Sequence, residues 1–191
     1  MRFAYRQVAV LRRLVARLAA AGVRVPICHA ANSAAVLRMP WAHLDMVRPG
    51  LAIYGYCPGP PAEPLARLLR PVLRLRTHLV LVKRVPAGWS VGYGRTFTTR
   101  RDSVLGIVPV GYNDGYPRAL SNRTVMELPA GDAPVVGRIS MDQTVLDLTD
   151  LPAARVGDPV IVIDDRRDRP NSVESLARLL GTIPYELTLS L

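Results

Sequence analysis

Residues 72–85 read V-L-R-L-R-T-H-L-V-L-V-K-R-V. Apolar or β-branched residues recur at alternate positions (Leu73, Leu75, Thr77, Leu79, Leu81), the two-residue period of a half-buried β-strand. Downstream, Val104–Val110 alternates in the same way, and Val135-Val136, Val145–Leu148 and Val160–Ile163 add short β segments separated by Gly, Pro and Asp turns. A series of short strands with tight turns reads as a compact, mostly antiparallel β domain. One late helix is expected over Val173–Leu180, with Ser172 before it as cap and Gly181 as its stop.

Upstream of this stretch the pattern changes. Phe3–Ala21 carries Val8, Leu11, Val15 and Leu18 at helical spacing, arginines on the opposite side, and a stop at Gly22. That spacing predicts an amphipathic helix. Val23–Cys28 reads as a short buried strand ending at His29, and Asn32-Ser33 can cap a second helix that Pro40 ends. Met46–Tyr54 reads as another buried strand, bent at Arg48-Pro49-Gly50. Helix, strand, helix, strand is the rhythm of a parallel α/β sheet or barrel, although two parallel strands alone cannot close one. The proline-rich Cys57–Pro64 (C-P-G-P-P-A-E-P) and a brief helix at Leu65–Leu69 then place a boundary between residues 1–70 and 71–191. The fold class expected is α+β.

With 191 residues, 49% hydrophobic and 21% charged, the chain can bury a core. No apolar run reaches the length of a membrane span, and Met1–Ala21 lacks the separate apolar block of a signal peptide. Cys28 and Cys57 have no ligand spacing and read as idle thiols. His29, His43 and His78 share no metal spacing. The formal charge of +10 comes almost entirely from scattered arginines, with Lys83 the only lysine. Without a basic run or interleaved aromatics, it does not describe a nucleic-acid face. No P-loop, G-x-G-x-x-G or Ser/His/Asp signature is present.

Three glycine-bounded motifs offer chemistry. V-G-Y-G-R-T (Val91–Thr96) sets Tyr93 between glycines, where a ligand or second chain can reach its hydroxyl, or where it simply packs across a hairpin. V-G-Y-N-D-G-Y-P-R (Val110–Arg118) brackets a strong turn with Tyr112 and Tyr116. V-G-R-I-S-M-D-Q (Val136–Gln143) offers the Met141 N–H at a strand start. Arg48 places a guanidinium in an otherwise apolar strand, where it needs a partner: an acceptor on a ligand, or Asp45. Ser33 could hold a phosphate through its hydroxyl and the adjacent helix start, or serve as a plain cap.

Taken in order, H-A-A-N-S-A-A, D-M-V-R-P-G-L-A-I-Y-G, V-K-R-V-P-A-G-W-S-V-G-Y-G-R-T, I-V-P-V-G-Y-N-D-G-Y-P-R, P-V-V-G-R-I-S-M-D-Q and G-T-I-P-Y-E resemble the alanine racemase family across nearly all of Val23–Leu191. That resemblance implies a homodimeric, cytoplasmic enzyme that uses pyridoxal 5′-phosphate (PLP) to interconvert L- and D-alanine for peptidoglycan. It implies a PLP-binding (β/α)8 barrel, represented here by two βα units within residues 1–70, ahead of a β domain over residues 71–191. By matching position, Tyr93 would exchange the α-proton from the partner subunit, and Arg48 would face the pyridine nitrogen. Ser33, the Gly50-Leu51 backbone and Tyr185 would contact the phosphate, the Met141 N–H the substrate carboxylate, and Tyr112 would wall the site.

The family's cofactor-bearing lysine motif has no counterpart here, and Lys83 falls on the β-domain V-K-R-V-P segment instead. Most barrel strands, the opposite-face base, the carboxylate-binding arginine and a histidine beside the catalytic tyrosine are also unmatched. The expectation is therefore an amino-terminally truncated racemase, inactive alone, whose partner is a second copy or a separate lysine-bearing barrel half. A non-catalytic β module is the alternative, and serine is the competing substrate.

Overall fold

The computed structural model describes residues 2–59 and 64–191. The chain divides into two compact units, Met1–Arg70 and Pro71–Leu191. The middle of the proline-rich segment, Pro60–Glu63, lies outside the described residues.

In the first unit, helix α1 (Arg2–Ala20) ends at Gly22, whose φ of +80° is left-handed. Strand β1 (His29–Asn32) leads into helix α2 (Ser33–Arg38), and β2 (Met46–Arg48) pairs parallel to β1, His29 opposite Met46 and Asn32 opposite Arg48. The cap works as its sequence suggests: the Asn32 side chain accepts a hydrogen bond from the Ala35 N–H at 3.1 Å. The core is small, built on Val8, Ala31, Ala42, Leu51, Tyr56 and Ala66.

Two expectations fail in this unit. Residues 23–28 form no strand, and Val23 and Ile27 are exposed. Ladder pairing begins only at His29, opposite Met46; ahead of it Cys28 alone bonds across, its carbonyl accepting from the Asp45 N–H at 3.1 Å and its N–H donating to the Asp45 side chain. Strand structure also stops at Arg48. Pro49 supplies no donor, and Leu51–Tyr54 winds into a 3₁₀ turn closed by Gly55 at φ +84°.

In the second unit the long alternating stretch becomes two strands, β3 (Leu75–His78) and β4 (Leu81–Val85), in different sheets. The break falls at Leu79, which is fully buried. After the short β5 (Ser90–Val91) and β6 (Phe97–Thr98), β7 (Ser103–Val108) forms the centre of a three-stranded sheet. There it lies antiparallel to β4, Lys83 opposite Leu105, and to β10 (Thr144–Asp147), Leu146 opposite Gly106. A four-stranded antiparallel sheet runs in the order β3-β11-β8-β9, with β8 Val125–Leu128, β9 Gly131–Pro134 and β11 Pro159–Ile163. Val135-Val136 is no strand of its own; Val135 makes a single bridge to Leu146.

Helix α3 (Val173–Leu180) occupies the expected residues, the Ser172 side chain accepting from the Ser175 N–H and Gly181 left-handed at φ +70°. Helix α4 (Pro184–Ser190) follows. Met126, Leu146, Leu148, Val160, Val162, Ile163, Leu176 and Leu187 form the apolar interior.

One ionic cluster pins the end of β11 to its neighbours. The Asp164 side chain is fully buried and receives Arg166 at 2.6 Å and Arg74 at 3.5 Å. Arg74 also pairs with Asp165, while Arg166 and Arg169 reach Glu127 on β8. Burial pushes the Asp164 carboxyl upward, but side-chain and backbone hydrogen bonds from Arg166 outweigh it and hold the group well below the usual carboxylate range. The fold class is α+β, a mostly antiparallel β unit after a short parallel βαβ unit.

Candidate functional site

The turn carrying Tyr93 is left-handed at Gly92 (φ +69°), Gly94 (φ +70°) and, unusually for a side-chain-bearing residue, Arg95 (φ +49°). Tyr93, at the start of a 3₁₀ turn between β5 and β6, is 71% exposed. Gly92 is needed for space as well as conformation, since a Cβ there would sit 3.0 Å from the Arg138 backbone nitrogen. The Arg138 guanidinium lies along Gly94, and Gly92, Tyr93, Arg138, Ser140, Gln143 and Val145 line an open cleft of about 390 Å³.

Met141 sits in a tight turn ahead of β10 rather than at its start. The turn is closed by Ser140, whose N–H and hydroxyl both donate to the Gln143 carbonyl (3.0 and 2.9 Å) and whose Oγ accepts from the Gln143 N–H (3.1 Å). The Met141 N–H makes no hydrogen bond among the described residues, so a donor is left for an incoming anion. Tyr112 is brought against this turn: its N–H donates to the Ser140 carbonyl and the Asn113 N–H to the Met141 carbonyl, both at 3.0 Å. Tyr112 is 42% exposed. Tyr116, four residues on, is fully buried, and that burial pushes its hydroxyl far above the ordinary tyrosine value. Of the two tyrosines bracketing the turn, only Tyr112 is available to a ligand.

In the first unit, Ser33 opens α2 and is fully buried. Its Oγ accepts from the Gly50 N–H at 2.9 Å and the Ala52 N–H at 3.2 Å. A hydroxyl has two acceptor sites and one donor, so both acceptor sites are taken and the proton is left to give. The neighbouring Leu51 N–H is likewise unspent among the described residues. A hydroxyl and a backbone N–H held beside each other fit a phosphate. Ser33, Gly50 and Leu51 are thus assembled in one place.

Arg48 does not carry a buried charge. It lies on an exposed position of β2 and its side chain makes no ion pair or hydrogen bond among the described residues, while Asp45 instead accepts from the Cys28 N–H at 2.9 Å. The buried-arginine expectation came from reading the strand as continuing through Tyr54. Tyr185 is half-buried near the start of α4. Lys83 faces outward on β4, its Nζ 4.8 Å above the Trp89 ring.

Sequence reasoning passed over Arg138. It lies in the Val136–Gln143 motif, flanked by Gly137, and its place as a cleft wall needed the tertiary approach to Gly94 to be seen.

Comparison with known proteins identifies the family. Residues 72–191 match the alanine racemase C-terminal domain and residues 1–58 the alanine racemase N-terminal domain. Alanine racemase 1 of Caldanaerobacter subterraneus subsp. tengcongensis is 42% identical over 174 residues, covering 91% of this chain and 45% of that protein. The crystal structure of alanine racemase from D-cycloserine-producing Streptomyces lavendulae superposes with a TM-score of 0.83 at 41% identity, over 96% of this chain and 48% of that one. Alanine racemase of Clostridium difficile 630 in complex with cycloserine gives 0.87 at 32% identity, over 99% of this chain and 49% of that one. The chain spans about half the length of the curated relatives it matches. No described helix is long and apolar enough to cross a membrane. With both domain models matched in chain order and the fold shared, the chain belongs to the alanine racemase family.

Proposed function

We propose that this chain serves PLP-dependent racemisation of alanine, the interconversion of L- and D-alanine that supplies D-alanine for peptidoglycan. The observation that carries the reading is the pairing of an outward-facing Tyr93 with an unspent Met141 N–H on neighbouring segments of one β unit. Tyr93 would hold and deliver a proton at its hydroxyl, and the Met141 N–H would orient a substrate carboxylate, with Tyr112 as a wall. In the first unit, Ser33 and the Gly50-Leu51 backbone would hold the cofactor phosphate and Arg48 would face the pyridine nitrogen. Tyr185 would be a further phosphate contact. PLP, when bound, would supply the electron sink that acidifies the α-proton. An arginine rather than an acid opposite the ring nitrogen disfavours its protonation and limits that sink.

Tyr93 exposure also supports a partner: a second copy whose site the tyrosine enters, together with a lysine-bearing barrel half that supplies the cofactor-holding lysine. The test mixes the purified chain with such a barrel half and follows alanine and serine racemisation and the visible absorbance of bound cofactor. Alanine racemisation in the mixture, reduced by about 10²-fold or more in Tyr93→Phe, is the expected result. Absence of racemisation in every mixture, or an undiminished rate in Tyr93→Phe, refutes the reading.

A further inference from the structure

We propose that Asn122 is a positioning residue for Tyr93, acting through Thr96; the role rests on Tyr93 being the proton-transferring group. The turn from Gly92 to Arg95 is closed by the short pairing of its flanking strands, Val91 opposite Phe97, and has little holding it within. Three of its four residues are left-handed, Arg95 bears a side chain in that strained region, and its one internal hydrogen bond, from the Arg95 N–H to the Gly92 carbonyl, is long at 3.3 Å. Strained backbone persists only where surrounding structure over-determines it. The Tyr93 ring, 71% exposed, contributes no anchorage.

Asn122 supplies an anchor from outside. Its Nδ2 donates to the Thr96 Oγ1 at 3.1 Å, at the residue that ends the turn, while its Oδ1 accepts from the Gly137 N–H at 2.6 Å. One amide thereby joins the Tyr93 turn to the Val136–Gln143 segment that carries Arg138 and Met141. The contact to the Val136–Gln143 segment is doubled one residue back, where the Ser121 Oγ accepts from the Ile139 N–H at 3.0 Å. Gly137 in turn lies so close to the strand before Tyr93 that a Cβ on it would meet the Val91 carbonyl at 2.9 Å. Asn122 is itself left-handed, at φ +60°. An amide that both donates and accepts, on a residue type that tolerates this conformation, describes asparagine better than any other side chain.

The experiment is hydrogen–deuterium exchange on the full chain alone, followed over residues 90–98, for the native protein, Thr96→Val, Thr96→Ser and Asn122→Gly. Thr96→Val keeps the shape and removes the acceptor, and Asn122→Gly keeps the backbone conformation and removes both amide contacts. Exchange over residues 90–98 is expected to rise about fivefold in Thr96→Val, the equivalent of one ordinary hydrogen bond, and further in Asn122→Gly, with Thr96→Ser restoring the native rate. Residues 140–143 should be unaffected by Thr96→Val, which separates a local release from general loosening. Unchanged exchange in both variants, or an equal rise in both segments, overturns the proposal. In the racemising mixture, Thr96→Val should lower kcat several-fold with KM held. A rate unchanged in Tyr93→Phe would instead overturn the functional reading on which the role depends, and the exchange data stand apart from that outcome.

Discussion

Gly111→Ala should separate the 3₁₀ turn carrying Tyr112 from the Met141 turn. Gly111 has φ −145° and ψ −163°, extended backbone that alanine adopts freely, so the substitution tests space alone. A Cβ at this position would lie 2.2 Å from the Met141 carbonyl oxygen and 2.4 Å from that of Ser140. Ordinary contact requires the two segments to part by about 1 Å or more. That movement breaks the bonds from Tyr112 to Ser140 and from Asn113 to Met141, each 3.0 Å long. Two hydrogen bonds and the accompanying overpacking strain together cost about 3–5 kcal/mol. Urea unfolding of the chain with a two-state fit, alongside amide exchange over residues 110–116 and 140–143, measures it. A loss below about 1 kcal/mol with unchanged exchange would show that the segments are not held at this distance, and the reasoning about the cleft would fail.

Further outcomes follow from other contacts. Asp164→Asn should destabilise the β unit by about 2–3 kcal/mol at neutral pH, discounted because Arg166 is half exposed. The Asp164 carboxyl is held low in the fold, so its contribution is present above the usual carboxylate value and lost as pH falls through the depressed one; chemical unfolding of native and variant should converge only in strong acid. Ser33→Ala leaves the Gly50 and Ala52 N–H groups without their acceptor and should weaken the first unit by about 1–3 kcal/mol, seen in local exchange over residues 46–55, and weaken pyridoxal phosphate binding in the mixture. Lys83→Met should cost about 0.5–1 kcal/mol through the lost contact with Trp89, shift Trp fluorescence, and leave cofactor absorbance in the mixture unchanged.

Local signals in the sequence determined what local physics controls. Asn32 and Ser172 cap helices because a side-chain oxygen on an extended residue at a helix start reaches the unpaired N–H three residues on, and Gly22 and Gly181 stop helices because a left-handed residue ends them. Strands with alternating or continuous apolar residues, β7, β10 and β11, were legible within about two residues. The ordered motifs likewise identified the family, since six segments in register carry far more information than any one. β9, written G-D-A-P, was invisible because its pairing with β8 comes from the partner strand and not from its own residues. Val23–Cys28 was misread for the converse reason, an apolar run in which only Cys28 finds a bonding partner across the chain, Asp45.

Tertiary structure alone decided the site's geometry. The exposure of Arg48, the burial of Tyr116 against the availability of Tyr112, the pressing of Gly111 onto Met141, and the Asn122 bracket all depend on segments far apart in sequence. A side chain's chemical capacity is written in its residue type. Whether that capacity is already spent on a neighbour is fixed only when the chain folds and the neighbour arrives.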